Sequence, residues 1–470
     1  MRLVLGFLVL GLGLMQAADW PRFRGHNGTG VAETKGLPAR FGPRENVVWK
    51  VDLAPGHSSP VLSEDRIFLT AFEGDKLLTL CLDRATGKVL WKREAPRIRY
   101  DKLDKRNSPA SPSPVTDGQD VYVFFNDFGL LSYTADGKER WRTPLGPFNN
   151  VYGMGASPIL VDDKVVLVCD QGTDSYILAV GKKDGRKRWQ TLRPEAISGH
   201  STPVLYRPSK GPALILAPAS FQLTAYSANT GEKTWWVRGL PAEMKSGAVL
   251  SGDTVYVNGY NMPDNEPGRQ VKIEPLAEAL ARYDANKDGR ISEAEAAADR
   301  RLKEYFIYLD LNHDGGLDAR EWEIYRASMA SENGLLAIRL GGSGDITASS
   351  VRWKYQRAVP QLPTTLLYQN VLYMINDGGV LSTFHPETGA VLKQGRLRGA
   401  VDSYYASPVA ADGKVFFASR SGMVSVLKAG PEQEMLSVND LEDEIYATPA
   451  IADGRIYLRT RNALYCFGLK

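Results

Sequence analysis

One short motif recurs along this chain at nearly constant spacing, and it constrains the fold more than any other feature. Each copy joins Ser-Pro or Thr-Pro to an aliphatic residue, a turn containing Asp or Gly, and aromatic-rich strands. The repeated positions are Pro60, Pro114, Pro158, Pro203, Gly247, Pro363, Pro408 and Pro449. Their successive spacings are 54, 44, 45, 44, 116, 45 and 41 residues. Removing about 70 residues from the long gap leaves eight repeats of the length of a four-stranded propeller blade.

The pattern inside each repeat predicts four short strands. Pairs such as Asp117-Gly118 and Asp412-Gly413 suit the tight turn between the first two strands. Tryptophans stand at equivalent places on the fourth strand, and we interpret them as core residues: Trp91, Trp141, Trp189, Trp235 and Trp353. The last repeat lacks its fourth strand, which Val47-Val48-Trp49-Lys50 can supply. The predicted fold is therefore all-β, an eight-bladed β-propeller closed by the N-terminal strand, with a small α-helical insertion in blade five.

Several segments resemble the quinoprotein-like (PQQ-like) β-propeller repeat family, in its exported bacterial type. The repeat signature is best kept in Thr86-Gly87-Lys88-Val89-Leu90-Trp91 and Thr230-Gly231-Glu232-Lys233-Thr234-Trp235. The opening Asp19-Trp20-Pro21-Arg22-Phe23-Arg24-Gly25 is similar to exported members of this family. The resemblance covers nearly the whole chain outside the insert. It implies the fold and leaves the activity open, because this scaffold hosts dehydrogenases, assembly factors and sensor domains.

The first residues predict export. Arg2 precedes an apolar run from Leu3 to Met15, which small residues follow, as in a secretory signal peptide. The predicted division is a signal peptide at 1–18, propeller at 19–260, a helical insertion at 261–331 and propeller at 332–470. We expect a periplasmic or extracellular protein with no membrane span after removal of the signal; an uncleaved anchor is the alternative.

The cysteines do not form a disulfide framework. Cys81, Cys169 and Cys466 are an odd number, and two of them take a repeat position that Ala fills elsewhere. Small buried side chains are the favoured interpretation. A bridge between Cys81 and Cys466 stays open as the alternative.

The insertion contains two twelve-residue segments that resemble EF-hand calcium loops. Both have oxygen side chains at loop positions 1, 3 and 5, Gly at 6, a backbone carbonyl at 7 and Glu at 12. The predicted calcium ligands are Asp284, Asn286, Asp288, Arg290, Ser292 and Glu295, then Asp310, Asn312, Asp314, Gly316, Asp318 and Glu321. We expect two Ca²⁺ sites, with Ile291 and Leu317 pairing the loops. The alternative is a pair of acidic turns that bind nothing.

The charges are distributed in agreement with this prediction. The insertion has a net charge of −5 and the rest of the chain +8, although the whole chain is only +3. Bound cations would neutralise the acidic part. The small overall charge gives no basic stripe for nucleic acid, so we predict no nucleic-acid partner.

The residues just ahead of each repeated position should converge at one end of the propeller channel. These predicted mouth residues are His57, Asn107, Tyr152, His200, Lys245, Gln361, Tyr404 and Glu444. The insertion is expected to emerge on the same face and to steady or gate what binds there. His57 and His200 could bind a metal or act as acid and base. The favoured interpretation is that each bonds the backbone of a neighbouring blade.

Two functions follow from these observations, and a third possibility is that the EF-hand pair only stabilises the structure. The resemblance raises a quinone (PQQ)-dependent dehydrogenase, which would use a vicinal disulfide, a channel calcium and an Asp base. The sequence has no adjacent cysteines, and its calcium signature lies in the insertion, so PQQ is disfavoured as a cofactor. The favoured hypothesis is a non-catalytic platform, like the assembly propellers, that binds an unidentified protein or glycan at the mouth. No catalytic residue is predicted.

Overall fold

The structure is a computed structural model that describes residues 20–469, so the predicted signal segment at 1–18 lies outside it. Eight antiparallel four-stranded blades follow one another around a ring, and all but the last take their four strands from one sequence repeat. The predicted eight-bladed β-propeller is therefore confirmed. Each inner strand is short, because the chain turns back after two to four residues at a Gly-, Asp- or Asn-containing turn.

The first four blades contain no insertion. Blade 1 consists of Val61–Ser63, Arg66–Glu73, Lys76–Asp83 and Val89–Ala95. Blade 2 consists of Val115–Thr116, Asp120–Phe125, Gly129–Thr134 and Glu139–Pro144. Blade 3 consists of Ile159–Val161, Lys164–Cys169, Tyr176–Gly181 and Lys187–Leu192. Blade 4 consists of Val204–Tyr206, Leu214–Ala219, Gln222–Ser227 and Lys233–Arg238, with Gly344–Asp345 added in parallel at its outer edge.

The remaining blades complete the ring. Blade 5 consists of Ala248–Ser251, Thr254–Gly259, Gly334–Arg339 and Val351–Tyr355. Blade 6 consists of Leu366–Tyr368, Val371–Ile375, Val380–Phe384 and Val391–Arg396. Blade 7 consists of Val409–Ala411, Lys414–Ala418, Met423–Lys428 and Met435–Asp440. Blade 8 consists of Ala450–Ala452, Arg455–Arg459, Ala463–Gly468 and, as its outer strand, Val47–Asp52.

The N-terminal strand closes the ring as the sequence predicted. Val47–Asp52 pairs antiparallel with Ala463–Gly468, and Trp49 stands opposite Cys466. This pairing gives the last blade its fourth strand, so the strand Ala463–Gly468 has no free edge. The two ends of the propeller sequence are thereby joined by a ladder of backbone hydrogen bonds.

Apolar side chains fill the layers between neighbouring blades. One buried cluster joins blades 1 and 2, the next joins blades 2 and 3, and the pattern continues around the ring. The outer-strand tryptophans contribute to it. The indole of Trp49 lies against Gly87 of blade 1, where a Cβ would come within 2.5 Å of the ring. The Thr-Gly turn of the signature is therefore required by packing as well as by its positive φ of 74°.

The insertion is a separate helical unit between the second and third strands of blade 5. Its helices are α1 (Leu276–Tyr283), α2 (Glu293–Ala296), α3 (Arg300–Leu309) and α4 (Ala319–Ala330). A fifth helix, α5 (Thr347–Ser350), lies outside the insertion, and short 3₁₀ turns occur at His26–Gly28 and Pro263–Asn265. The insertion buries its own apolar cluster, which includes Phe306, Leu317 and Trp322.

An N-terminal arm, residues 20–46, crosses the propeller channel before the closing strand begins. Trp20 pairs with Leu62 of blade 1, and Val31 pairs with Ala410 of blade 7. Between them, Asn27 exchanges hydrogen bonds with the backbone of Leu205 in blade 4. Within residues 20–469, no helix has both the length and the apolar composition to cross a membrane.

Candidate functional site

A cavity of about 240 Å³ opens at the channel mouth, which is the end where the loops leading into the inner strands converge. The predicted mouth residues that line it are His57, Asn107, Tyr152, His200, Lys245 and Gln361. Further aromatic residues on its wall are Tyr405 and Tyr446, and Phe23 of the N-terminal arm also lines it. The repeat pattern therefore placed most of these side chains on a common surface.

Two of the predicted mouth residues do not line the cavity. Tyr404 is fully buried and its hydroxyl donates to the carbonyl of Ala400 at 2.7 Å. Its neighbour Tyr405 lines the cavity instead. Glu444 lies beside the cavity, where it forms a 3.0 Å ion pair with Arg461. Sequence spacing could not choose between adjacent loop residues, because loop geometry rather than strand alternation orients them.

A third correction concerns the alignment of two repeats. Gly247 and Thr364 take the place that Ser or Thr occupies just before proline in the other blades, as their inter-blade hydrogen bonds show. Gly247 therefore lies one residue before the proline place of its blade, and Pro363 lies two residues before the proline place of its blade, which Thr365 takes.

The two histidines are held by neighbouring blades through their backbone. The N–H of His57 donates to Ala110 O at 3.1 Å, and that of His200 donates to Met244 O at 2.8 Å. The prediction of inter-blade bonds is correct for the backbone, but the imidazoles do not make these bonds. The His57 ring stacks on Tyr446 at 4.1 Å, and His200 Nε2 is buried without a hydrogen-bond partner.

Burial and nearby cations keep both imidazoles neutral. Burial, then the charges of Arg459 and Arg461, lowers the pKa of His57 to about 4. Burial, then the charge of Lys245, lowers the pKa of His200 to about 4. Neither ring is a proton donor near neutral pH, which argues against their use as an acid and base pair.

Tyr152 is the most densely contacted aromatic residue of the mouth. The cationic groups of Arg106 and Lys245 lie 5.6 and 5.7 Å from its ring centre. Tyr308, from helix α3 of the insertion, stacks on it at 5.9 Å. The insertion therefore reaches the wall of the mouth cavity.

A second contact fixes the insertion to blade 3. Asn149 Nδ2 donates to the carbonyl oxygen of Leu311 at 2.5 Å, and Gly172 lies so close to this carbonyl that a Cβ would meet it at 2.6 Å. Leu311 follows Asp310, the first predicted ligand of the second loop. The start of that loop is consequently docked on the propeller, whereas its residues 312–315 and residues 285–289 of the first loop are exposed.

The two loops of the insertion have the same internal hydrogen-bond pattern. In each, the Asp at position 1 accepts N–H bonds from positions 5 and 6, as Asp284 does from Asp288 and Gly289. The Glu at position 12 accepts from the N–H groups of positions 2 and 3: Glu295 in the first loop, Glu321 in the second. Both acidic side chains are thereby turned toward the centre of their loop.

The two loops are coupled to each other. Ile291 and Leu317 pair as a two-residue antiparallel strand, as the sequence predicted. Arg290 of the first loop donates to Asp314 and to the carbonyl of Gly316 in the second. The linker between the loops is not one helix, because Asp299 begins helix α3 by capping Leu302 N–H.

The predicted calcium ligands are therefore arranged in two helix–loop–helix units. Within residues 20–469, no group of three or more His, Cys, Asp or Glu side chains is close enough to hold a metal ion. The loops instead combine carboxylates with amide, hydroxyl and backbone oxygens. This donor set, with glycine at position 6 at φ of 83° and 87°, fits a hard cation such as Ca²⁺.

A ring of hydroxyl groups, one from each of seven blades, lies at the level of the inner strands. Each accepts the backbone N–H of the equivalent residue in the preceding blade at 2.8–3.0 Å. The members of this hydroxyl ring are Ser59, Ser113, Ser157, Thr202, Thr364, Ser407 and Thr448. Gly247 interrupts it in blade 5. The Ser-Pro and Thr-Pro repeat was visible in the sequence, but its role in joining blades was not predicted.

Two arginines of the N-terminal arm lie buried beside the hydroxyl ring. Arg22 donates to the carbonyl of Pro203 at 2.8 Å, and Arg24 donates to the carbonyls of Thr364 and Thr365 at 3.0 and 2.9 Å. Sequence reasoning missed both residues. Their only signal was the opening segment that resembles exported family members, in which neither arginine had been assigned a role.

All three cysteines are free and buried. The alternative of a Cys81–Cys466 bridge is therefore wrong. Cys81 and Cys466 stand opposite Trp91 and Trp49 in their blades, as Ala179 stands opposite Trp189. They are small buried side chains at a repeated packing position.

The fold and the repeat pattern define a PQQ-like β-propeller, and the sequence comparison agrees. A family model described as outer membrane protein assembly factor BamB matches residues 80–261 and 175–470. The chain belongs to this family. No functionally curated protein matches the sequence.

Solved structures of two kinds have a similar fold. BamB from Moraxella catarrhalis is 11% identical with a TM-score of 0.55, covering 90% of this chain and 98% of its own. A quinohemoprotein alcohol dehydrogenase from Pseudomonas putida HK5 is 12% identical with a TM-score of 0.61, covering 96% and 80%. A europium-containing methanol dehydrogenase is 9% identical with a TM-score of 0.62, covering 96% and 98%. These likenesses concern the fold alone.

Proposed function

We propose that this protein is an exported, calcium-binding platform that binds a protein or glycan at the channel mouth without catalysing a reaction. The observation that carries the proposal is the contact between the insertion and the mouth. Tyr308 stacks on Tyr152, and the second loop is fixed to blade 3 through Leu311. An ordered second loop then fixes one wall of the binding surface.

Two Ca²⁺ ions would be bound by the twelve predicted ligands of the insertion. The paired strand at Ile291 and Leu317 and the inward-facing Glu295 and Glu321 support this assignment. Bound calcium would supply positive charge that holds the acidic side chains of each loop together. The second site differs from the first, because Arg290 contacts two of its oxygen ligands and would have to move.

The composition of the mouth supports a binding role. Tyr152, Tyr405 and Tyr446 combine apolar area with hydroxyl groups, as residues at recognition surfaces commonly do. Membership in a family named for an assembly factor, together with the BamB fold, supports a protein partner. Export is supported by the N-terminal sequence and by the description of the family model, which names an outer membrane protein assembly factor.

The quinone-dependent dehydrogenase is the second candidate, and the likeness in fold to a quinohemoprotein alcohol dehydrogenase favours it. The mouth is less suited to that chemistry. Asp104 is the one carboxylate among the residues that line the cavity within the described part of the chain. Hydrogen bonds from Arg106 lower the pKa of Asp104 and make it a weak base. No cysteine lies next to another in the sequence.

Calcium binding can be tested by calorimetry on the full chain. We expect two sites of about 10⁻⁴ to 10⁻³ M, the range of extracellular modules. The double variant Glu295→Gln with Glu321→Gln should lose both. Glu293→Gln with Glu323→Gln is the matched control, because these exposed side chains lie outside the predicted ligand set. Equal heats in both double variants would refute the assignment.

Coupling to the mouth can be tested by hydrogen exchange. Calcium should increase protection of residues 149–155 in wild type, because the second loop contacts this segment. The Tyr308→Ala variant should bind calcium and lose that effect. Unchanged protection of the segment in calcium-loaded wild type would contradict a role for the insertion at the mouth.

The two functions can be separated directly. Reconstitution with the quinone and calcium should give no dye reduction if the protein is a platform. A photo-crosslinking residue at Tyr405 should capture a partner from an envelope extract, whereas one at exposed Val89 on an outer strand should not. Quinone-dependent dye reduction would contradict the platform proposal and support the dehydrogenase.

A further inference from the structure

The seven residues of the hydroxyl ring have hydrogen donors that the protein does not use. Each oxygen accepts a backbone N–H from the neighbouring blade, but within residues 20–469 none of the seven hydroxyls donates to a protein acceptor. All seven are at most 6% exposed and all line the mouth cavity. A buried donor without an acceptor is costly, so these O–H groups are available to a ligand or to water inside the cavity.

Three buried arginines beside this ring lack a carboxylate. Arg22 and Arg24 bond only to backbone carbonyls, and Arg459 bonds to Ser58 and to the carbonyls of Ala54 and Thr70. No acidic side chain of the described chain forms an ion pair with any of them. Burial lowers the pKa of each to about 9, which reflects the cost of keeping these charges away from water.

The acidic groups near the cavity are already neutralised. Asp104 is paired with Arg106 at 2.7 Å, and Glu243 with Lys245 at 2.6 Å. The nearest uncompensated charges around the ring are therefore positive. The lowered pKa of His57, to which Arg459 contributes, is consistent with a positive field in the cavity.

We infer that the channel cavity is a binding site for a small oxyanion, an organic acid or a phosphate compound, held by the hydroxyl ring beside the buried arginines. The ring would donate O–H bonds to the anion, and the guanidiniums, which lie behind the cavity wall and not in its lining, would supply a positive field. The site does not depend on the calcium proposal, because no residue of the insertion belongs to the ring.

The dimensions of the site indicate a small molecule. The cavity holds about 240 Å³, and the N-terminal arm passes beneath it with Phe23 in its lining. A folded partner could cover the mouth but could not reach the ring. Tyr152, Tyr405 and Tyr446 leave room for an apolar portion of an organic acid above the anionic group.

Gly247 provides a sharp test of this inference. Its Cβ would lie 3.5 Å from Thr364 Oγ1 and 3.6 Å from Thr202 O, which is ordinary contact. Gly247→Ser should therefore add the missing hydroxyl of blade 5 without a clash. Gly247→Ala adds the same Cβ without the hydroxyl and is the matched control.

Calorimetry with succinate, with inorganic phosphate and with neutral succinamide would measure binding in the presence of a calcium chelator. We expect both anions or one of them to bind in the millimolar range or tighter and succinamide not to bind. Gly247→Ser should tighten anion binding about fivefold to tenfold, and Gly247→Ala should leave it unchanged. The anion that binds more tightly identifies the carboxylate or phosphate class.

A loss variant keeps the test decisive if Gly247→Ser does not fold. Ser407→Ala removes one donor and should weaken anion binding by a similar factor, with Ser425→Ala, a buried serine of the same blade outside the ring, as control. Absence of anion binding to folded wild type, equal binding of succinamide, or equal affinities of the ring and control variants would each overturn the inference.

Discussion

At the scale of single residues, this propeller joins its blades with polar groups at the channel and apolar groups farther out. The hydroxyl ring uses Ser and Thr because these side chains are short enough to reach the next backbone from the inner strand. Where Gly247 replaces a hydroxyl, the chain lacks one link of the series. The Ser-Pro and Thr-Pro repeat therefore links neighbouring blades by hydrogen bonds near the channel.

A buried ion pair performs the same task between blades 3 and 4. Asp170 and Arg193 form two hydrogen bonds of 2.7 and 3.0 Å, and both side chains are at most 1% exposed. Arg193 also donates to the hydroxyl of Tyr226 in blade 4. Neither residue stood out in the sequence, because nothing in the repeat indicates that these two positions meet.

Breaking this pair should strongly destabilise the protein. Asp170→Asn leaves the Arg193 guanidinium buried without its counter-charge, so we expect the free energy of unfolding to fall by about 3–5 kcal/mol. Chemical denaturation would measure it. Asp163→Asn, which removes an exposed ion pair with Lys164, is the control and should cost less than about 1 kcal/mol. Equal effects of the two substitutions would contradict the assignment.

The two mouth histidines should make stability depend on pH. Each has a pKa of about 4 in the folded protein, against about 6.5 when unfolded, so protons bind the unfolded chain first. The two neutral imidazoles make their full contribution to the free energy of unfolding above about pH 6.5. This contribution is lost as the pH falls toward 4, by up to about 3 kcal/mol for each histidine.

Denaturation curves at several pH values would check this. The variant His57→Gln with His200→Gln should lose less stability between pH 7 and 4 than wild type. His26→Gln is the control, since His26 is exposed on the N-terminal arm. The explanation is wrong if wild type and the double variant have parallel pH profiles.

At the scale of elements, the insertion is the clearest independent unit. Its apolar cluster consists of its own residues, and it leaves blade 5 between Gly259 and Gly334, which face each other in the ladder. The place of the insertion in blade 5 and the pairing of its two loops were predicted from the sequence. Its docking through Tyr308 and Leu311 did not, because neither residue belongs to a repeated pattern.

Removing the insertion should therefore leave the propeller folded. We expect a chain in which an Asn-Gly turn replaces residues 261–332 to have a melting temperature within about 5 °C of wild type. Calcium should no longer change its stability. Circular dichroism during heating would measure both. Loss of the folded state would show that the insertion belongs to the core of the propeller.

At the scale of the whole molecule, ring closure pairs the outer strand edge of the last blade. The strand Val47–Asp52 covers the strand Ala463–Gly468, and Trp49 packs between blades 8 and 1. The sequence predicted this closure from a missing strand at one end and an extra strand at the other.

A chain that begins at residue 54 should expose an unpaired strand edge in blade 8. We expect it to associate in a concentration-dependent manner, because an exposed edge pairs with other chains. Light scattering after gel filtration would detect this. A chain that begins at Trp20 keeps the closing strand and is the control. A monomeric truncated chain of unchanged stability would contradict the closure argument.

The insertion and the propeller carry net charges of opposite sign. The insertion, at −5, lies at the mouth of a propeller portion at +8, where Tyr152 is flanked by Arg106 and Lys245. The net charge of the whole chain, +3, does not show these opposite charges. The structure places the acidic unit at the wall of a cavity near which three buried arginines lie, Arg22, Arg24 and Arg459.

The sequence by itself determined the propeller, its number of blades, its closure and the composition of the two loops. The spacing of residues close together in the chain indicates these features, because strands, turns and twelve-residue loops each depend on neighbouring residues. Only the tertiary structure decided that Tyr405 rather than Tyr404 faces the cavity, and that Arg22 and Arg24 lie beside the hydroxyl ring. Such features depend on contacts between distant segments, which no local pattern encodes.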